Sequence, residues 1–148
     1  MDTQKNILIG GITGGIGSSV AKTLSSQTHT ISGYARSEDK LTKLKSEFPS
    51  IHTFTADATD TTDLATTFKA AHEAMGSIDV YIHAIGSIII KPAHLTNQAQ
   101  WLDTLNLNLS SAFYAMKEAL AIMQKQSNGS LIFYSSTAAR IGIPNHEA

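Results

Sequence analysis

The sequence predicts a doubly wound α/β fold: a parallel sheet with helices on both faces. Three observations carry this. Short apolar, strand-like runs alternate with stretches of helical spacing along the chain. The first run passes through a glycine-rich turn straight into a helix. The 148 residues are 42% hydrophobic and 16% charged, the balance of one globular domain rather than of a disordered chain.

The elements follow in order. Lys5 to Gly10 is short, apolar and closed by glycine, the pattern of a strand buried on both faces. Gly10 to Gly17 forms the tight turn. Ser18 to Ser26 carries Val20, Ala21 and Leu24 at helical spacing. Thr28 to Ala35 is a second strand. Ser37 caps the next helix, with Glu38 and Asp39 favourable in its first turn. Leu41, Leu44 and Phe48 give that helix its apolar face, and Pro49 ends it. His52 to Ala56 is a third strand, and Leu64, Phe68 and Ala71 mark a third helix. Ile78 to Ile82 is a fourth strand. After a loop over Gly86 to Ala93, Gln98 to Gln126 is helical, with a break expected near Leu105 to Asn108, where two asparagines lower helix propensity. Asn128-Gly129 turns the chain into a fifth strand, Ser130 to Ser135.

Composition excludes several function classes. A formal net charge of −1 removes the electrostatic warrant for nucleic-acid or anionic-membrane binding. No stretch approaches the roughly 20 apolar residues of a membrane helix. With no cysteine, disulfides and thiol catalysis are excluded. The expected setting is a reducing cytoplasm, with no signal peptide at the N-terminus. The histidines at 29, 52, 72, 83, 94 and 146 are scattered, so no metal site is expected; His146-Glu147 is too short to begin a zinc-protease motif. Neither a G-x-x-x-x-G-K-[ST] phosphate loop nor a G-x-S-x-G nucleophile elbow is present.

The glycine turn carries the first functional signal. Gly11, Gly15 and Gly17 form G-x-x-x-G-x-G between a strand and a helix. Gly11 permits the tight turn. Gly15 lets the backbone approach a pyrophosphate, and Gly17 lets helix and strand pack closely. The helix N-terminus offers free N–H groups and positive dipole to phosphates. A glycine-rich turn without a ligand, or the first loop of a methyltransferase, fits this stretch on its own.

Later segments discriminate. The loop resembles the T-G-x-x-x-G-I-G motif of the short-chain dehydrogenase/reductase family, with Gly10 where that family usually has Thr. Asp79 to Gly86 (DVYIHAIG) resembles the family's D-V-L-V-N-N-A-G, with His83, Ala84 and Ile85 in place of Asn, Asn and Ala, and Gly86 retained. Leu107 to Phe113 resembles V-N-L-x-G-x-F. Gly129 to Ala139 resembles G-S-I-V-N-I-S-S-V-A-G. The order and spacing of these motifs cover the chain.

The resemblance implies a Rossmann-like three-layer fold with strand order 3-2-1-4-5 and a dinucleotide at the carboxyl edge of the sheet. Its loop contacts would come from Gly11, Thr13, Gly14, Gly15, Ile16 and Gly17. Ala35 stands where an NAD-type Asp would fall, and Arg36 follows it, beside Ser37. A guanidinium without a carboxylate suits a 2′-phosphate, so NADP(H) is the expected cofactor and NAD is disfavoured. Arg36 as a solvated surface residue is the plain alternative. The family's basic residue before the second loop glycine is absent, since that position is Gly14. Asp57 matches the Asp that accepts from the adenine amino group, with Ala58 beside it; Asp57 or Asp60 would serve equally well as a helix cap. His83, Ala84 and Gly86 fall on the nicotinamide side, where His83 also fits a structural role.

Of the family's catalytic set, Asn108 falls on the Asn of the proton relay and Ser136 on the Ser that polarises the substrate carbonyl. The Tyr of the family's Y-x-x-x-K motif would fall directly after Ala148. A single NAD(P)-binding domain over residues 1–148, part of a longer enzyme, is therefore expected. A non-catalytic nucleotide-binding module is the alternative. The implied reaction passes hydride between nicotinamide and a small carbonyl or alcohol substrate. Phe113, Met116, Leu120 and Met123 form an apolar stripe that fits either the core or a homodimer or homotetramer interface. Trp101 and Leu102 fit the same two roles.

Overall fold

A computed structural model describes residues 4–145. Met1 to Thr3, His146, Glu147 and Ala148 lie outside the described residues. Five strands form one parallel sheet: β1 (Asn6–Gly10), β2 (Thr30–Ala35), β3 (His52–Thr55), β4 (Val80–His83) and β5 (Ser130–Phe133). Their order is β3-β2-β1-β4-β5, as the family resemblance implies. The helices are α1 (Gly15–Ser25), α2 (Glu38–Glu47), α3 (Thr61–Met75), α4 (Gln98–Leu105), α5 (Ser111–Gln126) and a short α6 (Ala138–Ile141). A parallel sheet must be covered on both faces, because crossover helices return over it.

The two faces read directly from the alternation of strand side chains. Leu8, Tyr34 and Tyr81 point to one side and pack with Leu64, Phe68 and Ala71 of α3 and Ala115, Ala119 and Met123 of α5. Ile7, Ile9, Ile31 and Ile82 point to the other, against Ala21 of α1 and Leu41 and Leu44 of α2. Each such large apolar side chain stabilises the fold by roughly 1.5–3 kcal/mol when fully buried.

Several boundaries differ from expectation, each for a local reason. α1 begins at Gly15, not Ser18, because extended Gly14 is its N-cap and Ser18 N–H already donates to the Gly14 carbonyl. Glycine's poor helix propensity hides this start in the sequence. β2 begins at Thr30, and β5 ends at Phe133, where Ser136 Oγ accepts from Ala138 N–H and the unexpected α6 follows. The expected break at Leu105 to Asn108 is a π-helical turn, Asn106–Ser110, that carries α4 into α5 without interruption. The apolar stripe divides: Met123 is buried, while Phe113 and Leu120 face outward. The buried face of α5 is Ser111, Ala115, Ala119 and Met123, whose small residues bring the helix close to the sheet. Trp101 and Leu102 are exposed and are no part of the core.

Candidate functional site

A cleft of about 510 Å³ opens at the carboxyl ends of β1 to β4. Its floor is the glycine loop. Gly11 adopts φ +77°, a left-handed conformation open to glycine, and its N–H donates to the Tyr34 carbonyl at 2.9 Å. Gly14 N–H closes the turn on the Gly11 carbonyl at 2.9 Å. Gly17 packs beneath: a Cβ there would collide with the Gly11 carbonyl. Gly15 faces open space, so a ligand can approach its backbone. The N–H groups of Gly15, Ile16 and Gly17 precede the first helical bond of α1 and end the positive pole of its dipole.

Past β2, the cleft is lined by Ala35, Arg36, Ser37 and Lys40. Ser37 caps α2 by accepting from Lys40 N–H at 3.4 Å. Arg36 and Lys40 are exposed, and neither forms an ion pair among the described residues. Across from them stand Asp57 and Ala58. Asp57 Oδ1 accepts from the Thr59 N–H at 2.9 Å and the Thr59 hydroxyl at 2.8 Å. The Thr59 N–H, then its hydroxyl and the charge of Arg36, hold the carboxyl below its ordinary range, against the opposing effect of partial burial. Asp60, not Asp57, caps α3, accepting from Thr62 and Asp63 N–H.

Ala84, Ile85, Gly86 and Leu107 close the other end. Asn108 sits within the π-helical turn. Its Oδ1 accepts from Ser87 N–H at 2.8 Å, and its Nδ2 donates to the Thr104 carbonyl at 3.0 Å. Gly86 makes room for this: a Cβ there would stand 3.0 Å from Asn108 Oδ1. His83 does not line the cleft. It is buried behind it, its ring bonded to the side chains of Tyr81 and Ser111 rather than to backbone. Burial pushes its pKa down to about 4, so the ring is neutral. Ser136 is exposed and stands outside the cleft lining, its Oγ turned to Ala138 N–H.

The structure thus gathers Gly11, Thr13, Gly14, Arg36, Ser37, Asp57, Ala58, Ala84 and Gly86 around one cleft. It adds Tyr34, Lys40, Ala56, Ile85 and Leu107, none of them among the expected site residues. Lys40 brings a second cation to the cleft, one helical turn beyond Arg36. Among the described residues, no group of three His, Cys, Asp or Glu side chains could hold a metal. No described helix is long and apolar enough to cross a membrane.

A glycine loop feeding a helix N-terminus at the carboxyl edge of a 3-2-1-4-5 parallel sheet defines a Rossmann-like domain. The chain belongs to the short chain dehydrogenase family, whose family model matches residues 5–148. It is 30% identical over 154 residues to an uncharacterized oxidoreductase of Mycobacterium tuberculosis, covering 99% of this chain and 60% of that protein. It is 30% identical over 146 residues to the 2,3-dihydro-2,3-dihydroxybenzoate dehydrogenase of Bacillus subtilis, covering 95% of this chain and 54% of that one. Actinorhodin polyketide ketoreductase, solved with NADPH, superposes with a TM-score of 0.91 at 22% identity, over 96% of this chain and 57% of that one. The chain therefore spans between 54% and 60% of the length of these relatives.

Proposed function

We propose that this chain is the NADP(H)-binding domain of an oxidoreductase that interconverts a small carbonyl compound and its alcohol, in a cytoplasmic setting that suits a chain without cysteine. The observation that supports it is one cleft with Gly11, Thr13 and Gly14 of the glycine loop at its floor, next to the N-terminus of α1, and with Arg36 and Lys40, which form no ion pair among the described residues, along one side. The first suits a pyrophosphate and the second a 2′-phosphate. Asp57 would accept from the adenine amino group, with Ala58 supplying backbone contact. His83, behind the cleft, would act on the nicotinamide side only through its neighbours.

The bound nicotinamide supplies the hydride. Several supporting roles fall to this chain's own residues. Gly11 to Gly17 bind and orient the phosphates. Ala84 and Gly86 leave room beside β4. Ser136 would donate its hydroxyl to the substrate carbonyl oxygen, and Asn108 would hold a water for proton transfer. Subunit contact through the outward-facing Phe113 and Leu120 belongs to the same reading.

Titration of the full-length protein with NADPH and NADH tests it. A charge-assisted hydrogen bond contributes roughly 1.5–3 kcal/mol, so Arg36→Ala should weaken NADPH about ten- to a hundredfold. NADH should change little, and Lys40→Ala should show a smaller loss with the same selectivity. Equal loss of both nucleotides would refute the 2′-phosphate role. Ketone-dependent oxidation of NADPH tests the chemistry; binding without turnover would leave a nucleotide-binding module.

A further inference from the structure

Two departures from the family motif, Gly10 for Thr and His83 for Asn, lie side by side in the sheet. Gly10 of β1 pairs with Tyr34 of β2 and with His83 of β4. The missing Gly10 side chain leaves space that two phenols fill: a Cβ there would stand 2.7 Å from both the Tyr34 and the Tyr81 hydroxyl. Those hydroxyls meet at 2.8 Å. Tyr81 then meets His83 Nδ1 at 2.7 Å, and His83 Nε2 meets Ser111 Oγ at 3.2 Å. Ser111 donates to the Leu107 carbonyl at 2.6 Å.

Donor bookkeeping gives this chain one direction. The Leu107 carbonyl can only accept, so the Ser111 proton is committed to it. Ser111 Oγ must then accept from His83 Nε2–H. His83 Nδ1 carries no proton and accepts from Tyr81, which accepts from Tyr34. Every hydroxyl and ring nitrogen is satisfied, in an interior where an unpaired polar group would be costly. Burial holds both phenols protonated.

The far end of the chain reaches the site. Within the π-helical turn, Ser111 N–H donates to the Asn106 carbonyl, so the regular bond from Ser111 N–H to Leu107 is not made. The Ser111 side chain makes that connection instead. Leu107 lines the cleft, and Asn108 is the next residue. We propose that Tyr34, Tyr81, His83 and Ser111 are positioning residues: their hydrogen-bonded chain fixes the Leu107 carbonyl and thereby sets Asn108 against Ser87. The value of this placement to catalysis rests on the role proposed for Asn108 above.

Amide hydrogen exchange and 15N NMR on the full-length protein test the chain without requiring turnover. His83 should show the Nε2–H tautomer; an Nδ1–H tautomer would overturn the donor order. Ser111→Ala should speed exchange at Ser87 N–H, the donor to Asn108, roughly tenfold, the loss expected for about one hydrogen bond. The sheet amides of Ile9 and Tyr81 should not change. Unchanged Ser87 exchange, or acceleration in step with the sheet, would overturn the proposal. Tyr81→Phe keeps the ring and deletes one link. It should move the 15N resonance of His83 Nδ1, which loses its donor, and speed Ser87 severalfold, and it decides the matter if Ser111→Ala does not fold. In turnover, Ser111→Ala should lower kcat and leave the NADPH KM unchanged. A wild type that turns over no ketone would sink the oxidoreductase reading while the exchange data still judge the chain.

Discussion

Ser32 is wholly buried in β2, and its Oγ is the one buried side-chain polar atom among the described residues without a hydrogen-bond partner. A stranded hydroxyl costs about 1–3 kcal/mol. Ser32→Ala is therefore expected to stabilise the protein by about 1 kcal/mol in urea unfolding; a loss of stability would mean that the hydroxyl has a partner. At this scale the sequence is legible where one residue type is required. Gly11 and Gly17 are read from spacing because no other side chain fits their turn and contact. Lys40 escapes notice because a lysine in a helix's first turn looks like any solvated lysine. The linkage of Tyr34 to Tyr81 depends on strand register between residues far apart in sequence, which local pattern does not contain.

Among the elements, α3 shows how much a cap decides. Asp60 accepts two N–H bonds from the first turn, and Gly76 ends the helix at φ +82°. Asp60→Ala should cost about 1 kcal/mol and lower Tm, while leaving nucleotide binding intact, since Asp57 makes its own bonds to Thr59. A larger loss that also abolished nucleotide binding would show that the cap holds the adenine end of the cleft. Element identity was readable because apolar residues recur at strand or helix spacing. Boundaries were less so. Asn106 and Asn108 signalled irregularity, but propensity does not say whether a helix stops or takes in one wider turn. The α5 stripe misled because contact with the sheet is made through small alanines, which a search for large apolar residues passes over.

For the whole molecule, the alternation of strand and helix pointed to a parallel sheet, while the strand order came only through the family resemblance. Its acid response follows from His83. The ring titrates at about 4 in the fold against an ordinary 6.5, so the unfolded chain binds the proton first as pH falls. Stability should be full above pH 6.5 and decline toward pH 4, by up to about 3 kcal/mol at about 1.4 kcal/mol per pH unit. Asp57, held below its ordinary range, loses its own contribution as pH falls through its folded value. Urea unfolding across this range should show a slope that His83→Gln flattens; an unchanged slope would place the sensitivity elsewhere.

The strand order also has a consequence for synthesis. β1 is made first and ends in the middle of the sheet, between β2 and β4. β2 follows after one helix, but Val80, the partner of Ile7, is made only after α1, α2 and α3. An emerging chain must therefore hold β1 with one edge bare until β4 leaves the ribosome. Any pause before that point leaves its Ile7-Leu8-Ile9 segment open to pairing with a neighbouring chain.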